Sequence, residues 1–316
     1  LDGANRIKPL VARVKEMGME YIAITDHGNM FGIMDFYKTC KAEGVNPVIG
    51  CEVYVAPRNR KDKDPNLDAR YSHLILLAKD NQGYKNLATL VSLGYTEGFY
   101  YKPRVDLELL REYHEGLIAL SACLAGEVAR FLTRGMYPDA KKAALRYQEI
   151  FGEGNFFLEL QDHGIPEQKL VNTTLLQMSK ELNIPLVVTN DVHYTYADDV
   201  KPHDILLCLQ TGKKLSDEDR MRYEGGQYFV KSEEEMKNLF PYALEALENT
   251  QKIADRCHVE IEFGVTKLPK YDVPDGYTSW EYLQKLCHDG LVRCYGEETK
   301  GLKERLDYEL GIIKTM

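Results

Sequence analysis

The chain has 316 residues, of which 44% are hydrophobic and 28% charged, a composition ordinary for a globular protein of one or two domains. No apolar run approaches the roughly 20 residues that a bilayer-spanning helix needs, which argues against a membrane protein, and no signal-peptide pattern opens the chain. The formal net charge of −9 argues against a main nucleic-acid-binding surface in this segment.

The cysteines and the ends of the chain add two expectations. Seven cysteines stand at irregular spacing without a CxxC pair, which favours a reducing compartment and therefore the cytoplasm. One compact basic stretch, residues 58–63, lies among Asp and Pro residues, so a solvated loop is a simpler interpretation than a contact with DNA. The chain begins with Leu1 rather than Met, and residues 310–316 have the pattern of a helix interior. We therefore expect a fragment that is cut at both ends.

Short β-rich segments alternate with helical segments along the chain. The first helix is predicted over residues 6–17, where apolar residues recur at helical spacing and Gly18 ends the pattern. The predicted strands are 21–25, 47–55, 73–78, 117–121, 156–160 and 186–189, with a weak strand at 228–230. The later predicted helices are 31–42, 82–93, 126–133, 140–150 and 167–182. Ser232, followed by Glu235, predicts a capping box that opens another helix.

This alternation predicts an α/β fold with a mostly parallel sheet. Ligand-type residues follow several of these strands, which fits a barrel better than an open sheet, because such barrels gather their chemistry at the carboxyl ends of the strands. His73 departs from this rule, since it precedes its apolar segment. The composition changes after Glu262, where residues 263–277 indicate a linker and residues 279–316 a charged helical segment too poor in apolar residues for its own core.

The ligand-type residues at these strand edges are Asp26, His27, Glu52, His73, Cys123, Asp191 and His193. Imidazole and carboxylate ligands together suit Zn, Mn or Fe. Asp191 and His193 stand at alternate positions, so an extended backbone points both side chains the same way. Glu52 is a carboxylate in an otherwise apolar strand, and a buried charge is costly unless it is paired or bound to metal.

Each of these residues also has a structural interpretation when taken singly. His27 could form a hydrogen-bonded turn, Asp191 could cap a helix, and Glu52 could face solvent from an edge strand. His73 could be a satisfied buried histidine and Cys123 a small core residue. Glu159 and His163 could contact the ligands or the substrate, or face solvent. Together the residues favour clustered divalent ions that activate water and clamp a phosphate, as in a metal-dependent phosphoesterase.

Several segments along the chain resemble the PHP family (polymerase and histidinol phosphatase). The segment Ile24-Thr-Asp-His-Gly-Asn29 is shared widely in that family. The segments Gly98-Phe-Tyr-Tyr-Lys-Pro-Arg104 and Glu309-Leu-Gly-Ile-Ile-Lys-Thr-Met316 are similar to the subgroup found in bacterial replicative DNA polymerases. Further matching segments are Leu1-Asp-Gly-Ala4, Ser121-Ala-Cys-Leu-Ala-Gly126, Thr189-Asn-Asp-Val-His-Tyr194 and Tyr228-Phe-Val-Lys-Ser232.

The resemblance implies a distorted (β/α)7 TIM-like barrel, the PHP domain, over residues 1–262. It implies a linker and the beginning of a helical polymerase palm domain over residues 263–316. It implies up to three Zn²⁺ or Mn²⁺ ions, and Asp2 matches a ligand in the opening motif of the family. The remaining ligand positions match His27, Glu52, His73, Cys123, Asp191 and His193, with Asp26, Glu159 and His163 as neighbouring or substrate-contacting candidates. The family also has an HxH pair ahead of Asp2, which this chain starts too late to contain.

The resemblance leaves three hypotheses for function. In the first, the chain is part of a DNA-directed DNA polymerase, and its metal site is a 3′→5′ exonuclease; the polymerase aspartates and their Mg²⁺ then lie beyond Met316. In the second, the barrel is a structural or docking platform without catalysis. In the third, it is a stand-alone phosphoesterase. The implied partners are DNA, mainly through other regions, together with the sliding clamp, the clamp loader and a proofreading subunit.

Overall fold

The structure is a computed structural model that describes residues 2–296 and 300–316. Leu1 of the opening segment and residues 297–299 of the predicted helical tail lie outside the described residues. The chain divides into two compact units, the first ending at Glu260 and the second beginning at Ile261. The assignment of the second unit to a polymerase palm stays a prediction.

The first unit is built on seven strands. Most of them begin and end within one residue of the predicted bounds. In chain order they are β1 (Tyr21–Ile24), β2 (Asn46–Val55), β3 (Ser72–Ala78), β4 (Arg104–Val105), β5 (Leu117–Leu120), β6 (Phe156–Leu160) and β7 (Leu186–Val188).

Helices connect these strands and continue into the second unit. They are α1 (Ile7–Glu16), α2 (Ile33–Glu43), α3 (Asn81–Thr96), α4 (Leu107–Glu112), α5 (Glu127–Leu132), α6 (Tyr137–Phe151), α7 (Pro166–Leu182), α8 (Val200–Thr211), α9 (Glu233–Leu239), α10 (Leu244–Ala254), α11 (Ser279–Tyr295) and α12 (Lys300–Thr315). Two short 3₁₀ turns, Ala197–Asp199 and Glu224–Gly226, flank α8. Among the described residues, no helix combines the length and apolar character that crossing a membrane requires.

The sheet runs in the order β1-β2-β3-β5-β6-β7, with β4 beside the end of β2. The α/β class is confirmed, and the sheet curls as a half-barrel. All ladders are parallel except the two that β3 makes, because β3 runs antiparallel to both β2 and β5. No ladder joins β1 to β7 within the part of the chain that the structure describes.

The reversed direction of β3 explains why His73 departs from the strand-end rule. His73 stands near the beginning of its strand and pairs with Tyr54 near the end of β2. The beginning of an antiparallel strand lies at the same sheet edge as the carboxyl ends of its parallel neighbours. His73 therefore reaches the edge that the other ligand-type residues occupy.

Two local predictions differ from the structure. The weak strand predicted at 228–230 is wrong: Tyr228 and Val230 instead form irregular backbone hydrogen bonds with residues 193–195. The segment 94–104, which lies outside every helix and strand predicted from the sequence, contains the end of α3 and the beginning of β4. The predicted capping box is confirmed, since Ser232 accepts from the backbone of Glu235 and the Glu235 side chain accepts in return.

The apolar core lies between the sheet and its helices. The central strands contribute buried side chains that pack against α10, and this shared cluster contains Val48, Ile75, Leu77, Ile118, Leu120, Ala122, Phe157, Val187, Ile253, Ala254 and Cys257. Burying each Val, Leu, Ile or Phe side chain contributes roughly 1.5–3 kcal/mol. The packing of this core therefore holds the sheet in place, and one edge of that sheet carries the ligand-type residues.

A network of charged side chains, which we call the arginine hub, connects the loops on either side of β4. We define it as Arg58, Arg60, Asp68, Arg104 and Asp106. The fully buried guanidinium of Arg104 donates to the carbonyl oxygens of Gly98, Asp68, Arg60 and Asp62 at 2.8–3.1 Å.

The acidic members of the hub neutralise its outer arginines. Arg58 binds Asp68 through two hydrogen bonds of 2.9 and 2.5 Å, and Arg60 binds Asp106 and Glu97. The arginines of the basic stretch at 58–63 are thus paired within the fold.

The second unit contains the helices α11 and α12. Thr278 caps α11 in a box with Glu281, in which each side chain accepts a backbone N–H of the other residue. Within α12, Arg305 binds Glu309 one helical turn later.

Candidate metal centre

The sheet geometry brings His27, Glu52 and His73 to one edge. His27 forms an isolated parallel bridge with Glu52, which continues the register of β1 on β2. Glu52 and Tyr54 are two residues apart on β2 and so share a face, and Tyr54 is opposite His73 on β3. Cross-strand neighbours on one face lie close enough for their side chains to meet.

The position of His27 depends on a close approach of the backbone at Gly28 to the ring of Tyr54. Gly28 follows it with a φ of +63°, and a Cβ at this position would lie 2.7 Å from the ring of Tyr54. A glycine is therefore required for the chain to turn against Tyr54 directly after His27.

One group of potential ligands joins the first residues of the chain to the segment after β7. It consists of Asp2, His27 and His193, whose candidate ligand atoms all lie within 4.8 Å of one another. The Nε2 atom of His27 lies 3.2 Å from a carboxylate oxygen of Asp2. His193 donates from Nδ1 to the backbone oxygen of Asp191 at 2.7 Å, which leaves Nε2 as its basic nitrogen.

The second group surrounds Glu52. It consists of His27, Glu52 and His73, with Cys123 beside it. One oxygen of Glu52 lies 2.6 Å from Nδ1 of His73, and the other lies 3.7 Å from Nδ1 of His27. The Sγ atom of Cys123 lies 3.8 Å from both Glu52 and His73. His27 thus belongs to both groups.

Asp191 and Cys123 reach the cluster on strained backbone. Asp191 has a φ of +44°, and Ala122, directly before Cys123, has a φ of +63°. Residues other than glycine adopt this left-handed region rarely, and such outliers concentrate at functional sites. Burial raises the pKa of Asp191 to about 6, and the negative charge of Glu52 adds to this effect.

The charges in the cluster are strongly coupled. Burial by itself lowers the pKa of His27, but the hydrogen bond that His27 donates to Asp2 and the charge of Glu52 outweigh it and raise that pKa to about 9. Burial opposes ionisation of Asp2 and of Glu52 as well, yet their histidine partners hold both pKa values below the usual range. Burial raises the pKa of the Cys123 thiol, which must lose its proton before it can bind a metal.

Glu159 and His163 do not join the cluster but lie behind it. Glu159 accepts from the backbone N–H of Ala122 at 2.9 Å, and it also accepts from Gln161 and Thr189. Burial raises the pKa of Glu159 to about 7. The imidazole of His163 donates to the carbonyl oxygen of Asn190 at 2.8 Å. These two residues therefore position the segments that carry Cys123 and Asp191.

Asp26 lies beside the cluster rather than within either group of three. Burial raises the pKa of its carboxyl, and the negative charge of Asp2 adds to this. Its backbone oxygen accepts from the backbone N–H of Glu52 at 3.1 Å, which locks the strand edge in register.

Three side chains in contact with the cluster were missed from the sequence. The ring of Tyr54 stacks on His27 with centroids 6.1 Å apart, and the spacing of Tyr54 from Glu52 on one strand could have indicated this. The hydroxyl of Tyr223 donates to Nε2 of His193 at 3.0 Å. His203 donates to the backbone oxygen of Asp2 at 2.5 Å. Tyr223 lies in an irregular segment, where periodicity gives no signal, and His203 lies on α8, away from any strand end.

The donor set fits divalent metal ions. Among the described residues, Nδ1 of His27 is buried without a hydrogen-bond partner, although the carboxylate of Glu52 lies 3.7 Å away. Buried polar atoms are nearly always satisfied, so this unpartnered nitrogen beside a carboxylate fits a position that binds a cation. Imidazole, carboxylate and thiol ligands together suit first-row transition metals.

A family model covers the part of the chain that carries most of these candidate ligands. The family model described as PHP domain matches residues 1–163, which is more than half of the chain. The chain belongs to the PHP family. Asp191 and His193 lie beyond the matched residues, yet the fold brings them to the same cluster.

Relatives match over nearly the whole chain. The DNA polymerase III subunit alpha of Treponema pallidum is 46% identical over 318 residues, which cover 100% of this chain and 27% of that protein. The protein of the same name from Borreliella burgdorferi is 44% identical, over 99% of this chain and 28% of its own length. The chain thus spans little more than a quarter of the curated relatives that it matches.

A solved structure shows a weaker similarity. An amidohydrolase from Chromobacterium violaceum superposes with a TM-score of 0.43 and 12% identity, over 61% of this chain and 84% of that one. This similarity carries no argument about function.

Proposed function

We propose that this chain is the PHP domain of a bacterial replicative DNA polymerase and that its ligand cluster is a metal-dependent 3′→5′ exonuclease. We define the ligand cluster as Asp2, His27, Glu52, His73, Cys123, Asp191 and His193. The observation that carries the proposal is that five of these residues form two groups that share His27, with the candidate ligand atoms of each group within 4.8 Å of one another. Cys123 lies 3.8 Å from Glu52 and His73, and Nδ1 of His27 has no hydrogen-bond partner among the described residues. The similarity to polymerase subunits over the whole chain supports the wider assignment.

The residues of the cluster fit the binding of Zn²⁺ or Mn²⁺, up to three ions. Asp2, His27 and His193 would hold one ion, and His27, Glu52 and His73 would hold a second beside Cys123. Bound divalent ions would supply a nucleophile at neutral pH and stabilise the negative charge that develops on the phosphate.

The chain itself orients these ligands. The backbone oxygen of Asp191 fixes the ring of His193, and Glu52 fixes the ring of His73 through a 2.6 Å contact. Such outer contacts hold a ligating imidazole in one tautomer and raise its basicity. Glu159 and His163 hold the strained segments around Ala122 and Asp191, so they act by positioning.

In the complete protein, hydrolysis would release one nucleotide from the 3′ end of a strand. An oxygen from water would form the new bond to phosphorus, and the bond from phosphorus to the 3′ oxygen of the preceding nucleotide would break. That oxygen would leave with a proton. Nucleotidyl transfer, with its own Mg²⁺, would belong to residues beyond Met316. DNA and other replisome subunits would be the partners.

The test uses the complete protein and a single-stranded oligonucleotide with a labelled 3′ end. We expect Mn²⁺- or Zn²⁺-dependent release of the terminal nucleotide. The double substitution Asp191→Ala and His193→Ala should lower the rate by at least about a hundredfold, because both residues belong to the cluster. The matched control is Asp139→Ala with His114→Ala, which changes the same two residue types away from the cluster and should have no effect.

The alternative is a structural or docking platform. In that case neither the unaltered protein nor the variants would release nucleotides, while primer extension would remain normal. The cluster substitutions would then lower only the stability of the protein.

A further inference from the structure

An exposed row of aromatic side chains lies close to the ligand cluster. We define the aromatic row as Phe31, Tyr95 and Phe99. The ring centroids of Phe31 and Tyr95 are 6.2 Å apart, and those of Tyr95 and Phe99 are 6.3 Å apart. Their exposed fractions are 81%, 39% and 50%. Large apolar side chains that are exposed together, rather than singly, mark a binding surface.

The row is joined to the ligand cluster by short stretches of chain. Phe31 follows His27 by four residues, and a Cβ on the next residue, Gly32, would lie 3.4 Å from the carboxylate of Asp26. At the other end, Phe99 begins a turn that leads to Lys102 and Pro103. Pro103 would lie 3.0 Å from a Cβ on Gly28, the residue after His27. Phe31 and Phe99, the two ends of the row, are therefore each connected by a few residues to the sheet edge that holds the cluster.

The turn that follows Phe99 also carries a cation, Lys102. The Nζ atom of Lys102 lies 5.5 Å from the ring centroid of Tyr54, and that ring packs on both His27 and His73. None of the carboxylates in the described part of the chain lies within ion-pair distance of Lys102. By contrast, Glu97 beside the row is already bound by Arg60 and Lys61.

The turn that carries Lys102 is rigidly built. The backbone N–H of Tyr100 donates to the carbonyl oxygen of Lys102 at 3.0 Å, and Tyr101 at its tip has a φ of +60°. Arg104 then anchors the segment through its bond to the carbonyl oxygen of Gly98. Phe99 and Lys102 are thus held in place on either side of a fixed turn.

From this arrangement we propose that the aromatic row and Lys102 form a binding track for the single-stranded end of a DNA chain, which leads its terminal phosphodiester into the ligand cluster. The bases stack on Phe31, Tyr95 and Phe99, and Lys102 binds a backbone phosphate next to the terminal one. Aromatic faces with an interleaved cation are the features that bind single strands without sequence preference. This proposal depends on the nuclease function proposed above. We assign single-stranded DNA as the ligand of the track because the proposed phosphodiesterase site adjoins it.

A kinetic comparison separates the track from the cluster. The complete protein is assayed with a single-stranded oligonucleotide and with bis(p-nitrophenyl) phosphate, a small diester too short to reach the row. In Phe31→Ser with Phe99→Ser, we expect the KM for the oligonucleotide to rise about tenfold or more, because base stacking on aromatic rings is lost. Hydrolysis of the small diester should not change. Lys102→Gln should raise the KM for the oligonucleotide by a smaller factor.

The matched controls lie on α7, where Leu170 and Lys169 are both exposed. Leu170→Ser and Lys169→Gln should leave both substrates unaffected. An equal KM for the oligonucleotide in the row variants and in these controls would overturn the track.

Cross-linking tests the track without catalysis. An oligonucleotide with 5-iodouracil near its 3′ end is irradiated with the complete protein in a chelator, and the attached peptides are identified. Cross-links on Phe31, Tyr95 or Phe99 support the track even if the protein hydrolyses neither substrate, a result that would refute only the proposed nuclease. Cross-links found only elsewhere would overturn the track, as would row substitutions that change only the association with another protein or domain.

Discussion

The arginine hub and the ligand cluster both bury charged side chains, yet they satisfy them differently. In the hub, the guanidinium of Arg104 has four carbonyl partners, and Asp68 and Asp106 each bind an arginine. In the cluster, Nδ1 of His27 is without a hydrogen-bond partner among the described residues, and Asp191 and Glu52 repel each other.

This difference separates a structural network from a binding site. A fully satisfied polar network stabilises and rigidifies the fold around it. An unsatisfied one destabilises the fold and persists where function requires it. The hub is complete as it stands, whereas the function proposed above would have bound cations complete the cluster.

The largest expected effect comes from breaking the hub. Arg104→Met removes the donor for four buried carbonyl groups, so the free energy of unfolding should fall by about 3–5 kcal/mol. Denaturant unfolding measures the change. Arg111→Met, at an exposed arginine on α4, is the control and should shift the free energy of unfolding by less than about 0.5 kcal/mol. If the two substitutions lowered the free energy of unfolding equally, the hub would be no more important for stability than an exposed arginine. The comparison between the hub and the ligand cluster would then fail.

A substitution in the cluster should raise the free energy of unfolding rather than lower it. The pKa of Asp191 is raised to about 6 by burial, so its carboxylate destabilises the metal-free fold at any pH above that value. Asp191→Asn should therefore raise the free energy of unfolding at pH 7.5, measured in a chelator, by about 1–3 kcal/mol. The same variant should bind Zn²⁺ or Mn²⁺ at least about tenfold more weakly. A loss of stability in the chelator would show that the cluster is a structural network like the hub.

His163, which lies behind the cluster, should make the stability of the fold depend on pH. Burial lowers the pKa of His163 from 6.5 to about 4, so the fold favours the neutral ring. The stability that depends on neutral His163 is complete above about pH 6.5 and is lost as the pH falls through that value towards 4. His163→Gln should flatten this part of the pH dependence by about 1–3 kcal/mol. Parallel stability curves for the variant and the unaltered protein between pH 7 and pH 4 would contradict the assignment.

A helix cap away from both regions should give the smallest effect. Ser232→Ala removes the hydroxyl that accepts from the backbone of Glu235, and the expected loss in the free energy of unfolding is about 1 kcal/mol. Ser232→Thr is the conservative control and should retain most of the stability. A loss as large as that of Arg104→Met would show that the hub has no special role.

The sequence predicts the strands well, because an apolar segment of strand length is a local property. Apolar segments identify β1, β2, β3, β5, β6 and β7 nearly at their observed bounds, and the residues that follow them are visible in the sequence. The direction of a strand is not a local property. His73 therefore stands apart in the sequence, and only the antiparallel direction of β3 brings it to the cluster.

Other features depend on contacts between residues that are distant in the chain. Arg104 lies outside every helix and strand predicted from the sequence, yet it is completely buried and donates to carbonyl groups from residues 60–68. Tyr223 reaches His193 from an irregular segment 30 residues later in the chain. Neither periodicity nor composition indicates where such segments fold back.

The measurement that tests the central claim most directly is the metal content of the complete protein after dialysis against Zn²⁺ or Mn²⁺, followed by removal of the free metal. The account predicts at least one bound ion per chain in the unaltered protein, little or none in His27→Ala with His193→Ala, and unchanged content in Arg111→Met. If the unaltered protein and the double cluster variant retain the same amount of metal, the ligand cluster is not the metal centre.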